Sequence, residues 1–364
     1  RLWTAIQVSA SSVLLLYIST RPLFSEWRDG TVERVGNGRT RTWISQGREP
    51  GQITQIRTDS GANMYCMQSE EMPQISFLLL HDITEHAGAL GGLASSLFGH
   101  CRSEGIACSV FAVDLPGHGH TGMEATSGEF NMTGMVELVW EAAEWIKAET
   151  KESAVVTVGI GIGGEVAFQA SSGSEAITAT VANGLLLSNE VHFREQVELL
   201  KGWVGDALEL LLHGQRVFLP SLISFWRLYD KISCDEHSAV ACEWNHDSEG
   251  YEEHMADPLS TWYTSLSSLR SLFHHPPLTS AENSSKPVLV LAGGRDQAIP
   301  LSHVRACFHR LAGHKFLRFD SRAGHQLHRQ LTEDTSRVVV GWSRAVLDGT
   351  LGELAVESPQ LILG

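Results

Sequence analysis

From residue 52 the chain alternates between two hydrophobic patterns. Short apolar runs have no helical period and suit buried strands: "ISFLLLH" (75–81), "CSVFAVDL" (108–115), "AVVTVG" (154–159), "ITATVANGLLL" (177–187), "PVLVLAGG" (287–294) and "HKFLRFD" (314–320). Between them lie helical stretches. "GALGGLASSLFGHCRSE" (88–104) is a small-residue helix, and "GMVELVWEAAEWIKAET" (134–150) repeats apolar residues at three-and-four spacing. "GGEVAFQAS" (163–171), "LSHVRACFHRLAG" (301–313) and one closing helix, "HQLHRQLTEDTSRVVVGWSRAVL" (325–347), complete the set. Strands alternating with helices predict an α/β fold with a doubly wound, mostly parallel sheet.

The segment 189–285 breaks this rhythm. It is rich in Trp, Leu and His and reads as mostly helical. The expected organisation is an N-terminal extension (1–51), a first core part (52–188), a helical cap (189–285) and a second core part (286–364). The cap is expected over the carboxyl ends of the strands, where such sheets bind ligands.

Residues 2–20 carry no charge, close to the roughly 20 residues that span a bilayer, but four Ser, two Thr and a Gln dilute the run. It reads as a helix packed on the body or on a second subunit, with an anchor or uncleaved signal as the alternative. The first residue is Arg, so a start trimmed from a longer chain is expected. A homodimer and membrane association through residues 2–20 stay open. A cytoplasmic location is preferred to a membrane-anchored or secreted one.

Composition narrows the partners. The 364 residues hold 42 acidic and 27 basic side chains, a formal charge of −15, which repels phosphate backbones and argues against nucleic acid. The six Cys form no C-x-x-C pair and read as buried thiols, with a Cys234–Cys242 bridge as the exception to watch.

The glycine run Gly159-Ile160-Gly161-Ile162-Gly163-Gly164 allows two readings. As G-x-G-x-x-G it would cradle a dinucleotide. That motif should follow the first strand of its unit and be answered by an acid on the next strand. Two strand–helix units already precede it, and the next strand carries Asn183 with no acid. As a sharp strand-to-helix turn it would be a nucleophile elbow, followed in chain order by an acid and a His. Asp296 in "LVLAGGRDQAIP" and His325 in "FLRFDSRAGHQL" stand in those places.

Several segments together resemble α/β-hydrolases of the monoacylglycerol lipase and lysophospholipase-like group. His81-Asp82-Ile83-Thr84-Glu85-His86 is similar to that group's oxyanion segment. Asp114-Leu115-Pro116-Gly117-His118-Gly119-His120-Thr121-Gly122 is similar to its D-x-x-G-H-G segment, and Gly159–Gly164 to its elbow. The likeness covers roughly 52–188 and 286–348, with Thr121 in the place of a serine and the last glycine one residue early in the second segment, and with three weightier departures. Asp82 replaces the usual glycine, Ile160 the usual histidine, and Gly161 the nucleophilic serine.

The resemblance implies a hydrolase for a carboxylic ester or lactone of a small hydrophobic substrate, with no cofactor and no metal. Gly161 marks the nucleophile position, His325 the base and Asp296 the orienting acid. The amides of Ile83 and Ile162 are the expected oxyanion donors. Asp82, Trp203, Phe218, Leu222, Trp226 and Trp262 are the expected substrate contacts. A glycine cannot form an acyl-enzyme, so the favoured expectation is an inactivated variant of a serine enzyme. The alternatives are a natural nucleophile-free His/Asp enzyme (lyase, isomerase, cyclase or cofactor-free oxygenase) and a non-catalytic ligand-binding pseudo-hydrolase. His118 and His120 are read as part of a structural turn rather than metal ligands, and His81 and His86 as loop braces.

Overall fold

A computed structural model describes residues 53–58, 61–122, 127–151, 153–187, 222–223, 254, 256–261, 264–296, 299–352 and 361–363. Among these, nine strands form one sheet in the order β1-β2-β4-β3-β5-β6-β9-β10-β11. The strands are β1 (Ile53–Arg57), β2 (Asn63–Gln68), β3 (Ile75–Leu80), β4 (Cys108–Val113), β5 (Ala154–Ile160), β6 (Ile177–Asn183), β9 (Val288–Gly293), β10 (Lys315–Asp320) and β11 (Leu361–Leu363). From β4 through β3, β5, β6 and β9 to β10 every pairing is parallel. β1, β2 and β11 extend the edges by antiparallel pairing.

The central strands are buried along their whole length, which is why they read as unbroken apolar runs. Alternate residues supply opposite faces. Phe77 and Leu79 of β3 join one core with Leu93, Leu97, Val339 and Trp342, whereas Leu78 and Leu80 join another with Met135, Val139, Ile146 and Val166. The first face is covered by α1 (Gly91–Ser103) and α8 (Thr332–Asp348), the second by α3 (Met132–Glu149) and α4 (Ile162–Gly173). A short helix α2 (Gly119–Gly122) precedes α3. Helix α3 starts two residues earlier than its periodicity suggests, because the Asn131 side chain caps the Gly134 amide at 2.7 Å.

The structure corrects three sequence expectations. Strands β1, β2 and β11 went unassigned: "NMYCMQ" lacks the β-branched residues that mark a strand, and one of its two partners, β4, lies over 40 residues along the chain. The strand expected over 177–187 stops at Asn183, where Gly184 turns with φ 71°. The closing helix is not continuous. It is split into α7 (Leu327–Gln330) and α8 at Leu331, which leaves helical geometry, and His325 precedes both pieces on a loop.

Of the segment 189–285, the described residues contribute a short antiparallel pair, β7 (Leu222–Ile223) with β8 (Thr264–Ser265), and helix α5 (Leu266–His274). Between β9 and β10 lies α6 (Leu301–Arg310). Residues 2–20, Cys234, Cys242 and most of the expected cap lie outside the described residues. Cys66, Cys101, Cys108 and Cys307 are buried thiols. Among the described residues no helix is long and apolar enough to cross a membrane.

Candidate active site

The site forms where four parallel strands end. β3 runs into His81–Thr84, β5 into Gly161, β9 into Gly294–Asp296, and β10 into the loop that carries His325. The elbow is tight. A Cβ on Gly159 would run into the carbonyl of Gly163, so the first turn of α4 can fold back on β5 only over a glycine. Gly161 adopts φ 53°, ψ −120°, a conformation that side chains rarely take, and its amide donates to the Asn183 carbonyl at 3.0 Å.

The acid and the His come together through their backbones. Gly294 N donates to the Asp320 carbonyl at 2.8 Å, and Arg295 N to the Ala323 carbonyl at 2.9 Å. The loops after β9 and β10 are thereby zipped side by side. Asp296 Oδ2 lies 2.9 Å from His325 Nδ1, and Asp296 Oδ1 accepts from the Ile299 amide at 2.8 Å. The Asn183 side chain donates to the His325 carbonyl at 3.0 Å.

Asp82 completes the group. Its Oδ2 lies 2.9 Å from His325 Nε2. Its Oδ1 accepts from the amides of Ile83 at 2.7 Å and Ile162 at 3.0 Å. A Cβ added to Gly161 would overlap this carboxylate, whose three carboxyl atoms all fall within 2.5 Å of it. The Asp82 carboxylate therefore occupies the space that a side chain at the elbow would need. The two amides expected to serve an oxyanion converge on a single oxygen of Asp82.

Burial alone would raise the Asp82 carboxyl. The hydrogen bond and charge of His325, with the amides of Ile83 and Ile162, outweigh it and hold the group below the usual carboxylate range. Both ring nitrogens of His325 face carboxylates, an arrangement satisfied when both carry protons.

The oxyanion loop is braced from below and above. Leu115 N donates to His81 Nε2 at 3.0 Å, which leaves the proton on Nδ1 to donate to the Asp82 carbonyl at 2.7 Å. The Asp114 carboxylate accepts from Ala87 N, His120 N and the Asn63 side chain, tying the segments 81–90 and 114–122 together. His118 lies between the carbonyls of Pro116 and Ile83, and no group of three or more metal-ligating side chains occurs among the described residues.

From above, His86 Nε2 pairs with Asp257 Oδ2 at 2.8 Å, and His254 Nε2 meets Thr84 Oγ1 at 3.1 Å. The Thr261 amide donates to the Thr84 carbonyl at 3.0 Å. Thr84, His254 and Asp257 were not singled out from sequence, because nothing local marks a contact across about 170 residues. Of the expected substrate contacts, Leu222 falls in β7 with its side chain undescribed, and Trp203, Phe218, Trp226 and Trp262 lie outside the described residues.

A doubly wound sheet with an elbow after β5, an acid after β9 and a His after β10 defines an α/β-hydrolase. The sequence model of the family described as "Serine aminopeptidase, S33" matches residues 71–332, well over half of the chain, and the chain belongs to that family. No curated protein matches the sequence.

Solved structures share the fold at low identity. A thermostable carboxyl esterase from Bacillus coagulans superposes with TM-score 0.62 at 14% identity, over 82% of this chain and 99% of that one. A monoacylglycerol lipase from Paleococcus ferrophilus gives 0.55 at 19% identity, over 80% and 96%. A soluble variant of monoglyceride lipase from Saccharomyces cerevisiae gives 0.57 at 15% identity, over 82% and 96%.

Proposed function

We propose that this chain is a hydrolase for an ester or lactone of a hydrophobic substrate, working without an acyl-serine intermediate through Asp82, His325 and Asp296. One observation carries the reading: the Asp82 carboxylate fills the place of the absent elbow side chain and bonds to the His that a serine would have faced. An inactivated serine enzyme accounts for Gly161 alone. It gives no reason for a carboxylate at 82 seated on His325 and both amides. The two residues make sense as a matched pair, a glycine vacating the elbow and an aspartate entering from the oxyanion loop.

Hydrolysis of apolar lactones tests this reading. The expected result is turnover that Asp82→Asn and His325→Gln each reduce by about 10²–10⁴-fold, the usual worth of a positioned acid or base. Turnover untouched by both substitutions would overturn it.

A second reading, a ligand-binding pseudo-hydrolase, is favoured by the same Oδ1 atom, which occupies both amides and leaves them no substrate oxygen to hold. It predicts saturable binding of those compounds with no product.

A further inference from the structure

We propose that Asp82 is a covalent nucleophile, and that it breaks the bond between oxygen and the saturated carbon of a β-lactone. This rests on the hydrolase reading above and specifies its substrate and the bond it cleaves.

The division of labour between the two carboxylate oxygens carries the inference. In acyl transfer to a serine, the paired amides hold the substrate's acyl oxygen. Here both amides already hold Oδ1 of Asp82, while Oδ2 is directed at His325. The negative charge these donors are placed to stabilise is therefore one that develops on Oδ1. Such a charge appears when water attacks Cγ of an ester formed on Asp82. Attack by Oδ2 on an acyl carbon would build an oxyanion on the substrate, with both amides already taken. Attack on a saturated carbon builds no such oxyanion and needs no such donors.

The steps balance. Oδ2 forms a bond to the ring carbon, and the carbon–oxygen bond of the ring breaks with its electron pair going to oxygen. The departing carboxylate leaves on the side away from Oδ2, and His325, no longer facing a charged Asp82, gives its Nε2 proton to solvent, leaving a neutral imidazole whose Nδ1–H stays on Asp296. Water then adds to Cγ and gives a proton to Nε2. The oxyanion on Oδ1 rests on Ile83 and Ile162. Collapse breaks the bond between Cγ and the alkyl oxygen. The alcohol leaves with a proton from the new carboxyl group, and the carboxylate and doubly protonated His325 are restored. The alcohol oxygen comes from Asp82, and the oxygen of water stays on the protein.

The test is a single turnover in oxygen-18 water, with protein in excess over an apolar β-lactone (a β-alkyl-β-propiolactone). The expected product alcohol is unlabelled, and the peptide containing Asp82 gains one oxygen-18 atom. His325→Gln should accumulate a β-lactone adduct on Asp82, because the carboxylate leaving group departs without needing a proton. If the β-lactone is hydrolysed with the label in its own carboxylate and none on Asp82, the nucleophile proposal is overturned while the hydrolase reading stands. If folded protein leaves the β-lactone intact and Asp82 carries neither label nor adduct, the nucleophile proposal is overturned.

Discussion

Asp82 and Gly161 are reciprocal: the carboxylate of the first occupies the volume that any side chain on the second would require. The family resemblance puts a glycine at 82 and a serine at 161, so the small and the functional residue have changed places across the site. His325 keeps the partner it needs on each ring nitrogen, 2.9 Å from Asp296 on one side and 2.9 Å from Asp82 on the other.

Removing the Asp82 carboxylate should damage stability as well as chemistry. Asp82→Ala strips one partner from a buried charge pair and leaves the Ile83 and Ile162 amides unmatched. Breaking such a pair typically costs about 3–5 kcal/mol. Urea denaturation should show a loss of that order, with a smaller loss for Asp82→Asn, whose amide oxygen can still accept from both backbone donors. Equal stability of Asp82→Ala and the parent would show that the carboxylate is not seated as described.

Stability should fall as the medium turns mildly acidic. Burial pushes His81 and His328 well below their usual range, and His254 down to about 3. Each stays neutral in the fold and takes a proton once unfolded below about pH 6.5, so each withdraws about 1.4 kcal/mol per pH unit as pH drops. For His254 the loss continues to about pH 3. His86 works the other way. Burial lowers it, but Asp257 more than compensates and raises it, so its contribution is full below pH 6.5 and fades as pH rises through its folded value. The three neutral rings outweigh His86, and unfolding free energies measured from pH 7.5 to 5.5 should decline. A flat profile would contradict the burial of these rings.

The strap between the oxyanion loop and residues 254–261 should govern substrate handling. Burial would raise the Asp257 carboxyl, but the bond to His86 outweighs it and holds the group low, so the pair is intact near neutral pH. Asp257→Asn weakens the His86 contact and touches neither His325 nor Asp82. The expected result is a raised KM with kcat changed several-fold less. A fall in kcat alone would place Asp257 in the chemistry instead.

Much of this was legible in the sequence because it is local. Unbroken apolar runs marked β3, β4, β5 and β9, and the order of elbow, Asp296 and His325 marked the site. The identities of Asp82 and Gly161 were legible too, each as a departure from the family pattern. Their relationship was not, because it exists only once β3 and β5 pair in register and bring Leu80 opposite Gly159, two residues short of Asp82 and Gly161 respectively. The break at Leu331 was hidden for a related reason. Helical periodicity runs straight through it, while the loop that frees His325 is held by side chains from elsewhere, Gln330 accepting from the Gly324 amide at 2.7 Å and Asn183 donating to the His325 carbonyl at 3.0 Å.

The most direct measurement compares p-nitrophenyl ester cleavage by Gly161→Ser alone with that by the double variant Asp82→Gly/Gly161→Ser. A serine at 161 collides with the Asp82 carboxylate, so the single variant should be poorly folded or inactive. Removing that carboxylate restores room for the serine, frees both amides for a substrate oxygen and leaves His325 and Asp296 in place. The expected gain of the double variant over the single one is about 10³-fold or more, given the roughly 10⁶-fold worth of a triad nucleophile. Equal activity of the two variants would contradict the seating of Asp82 in the elbow.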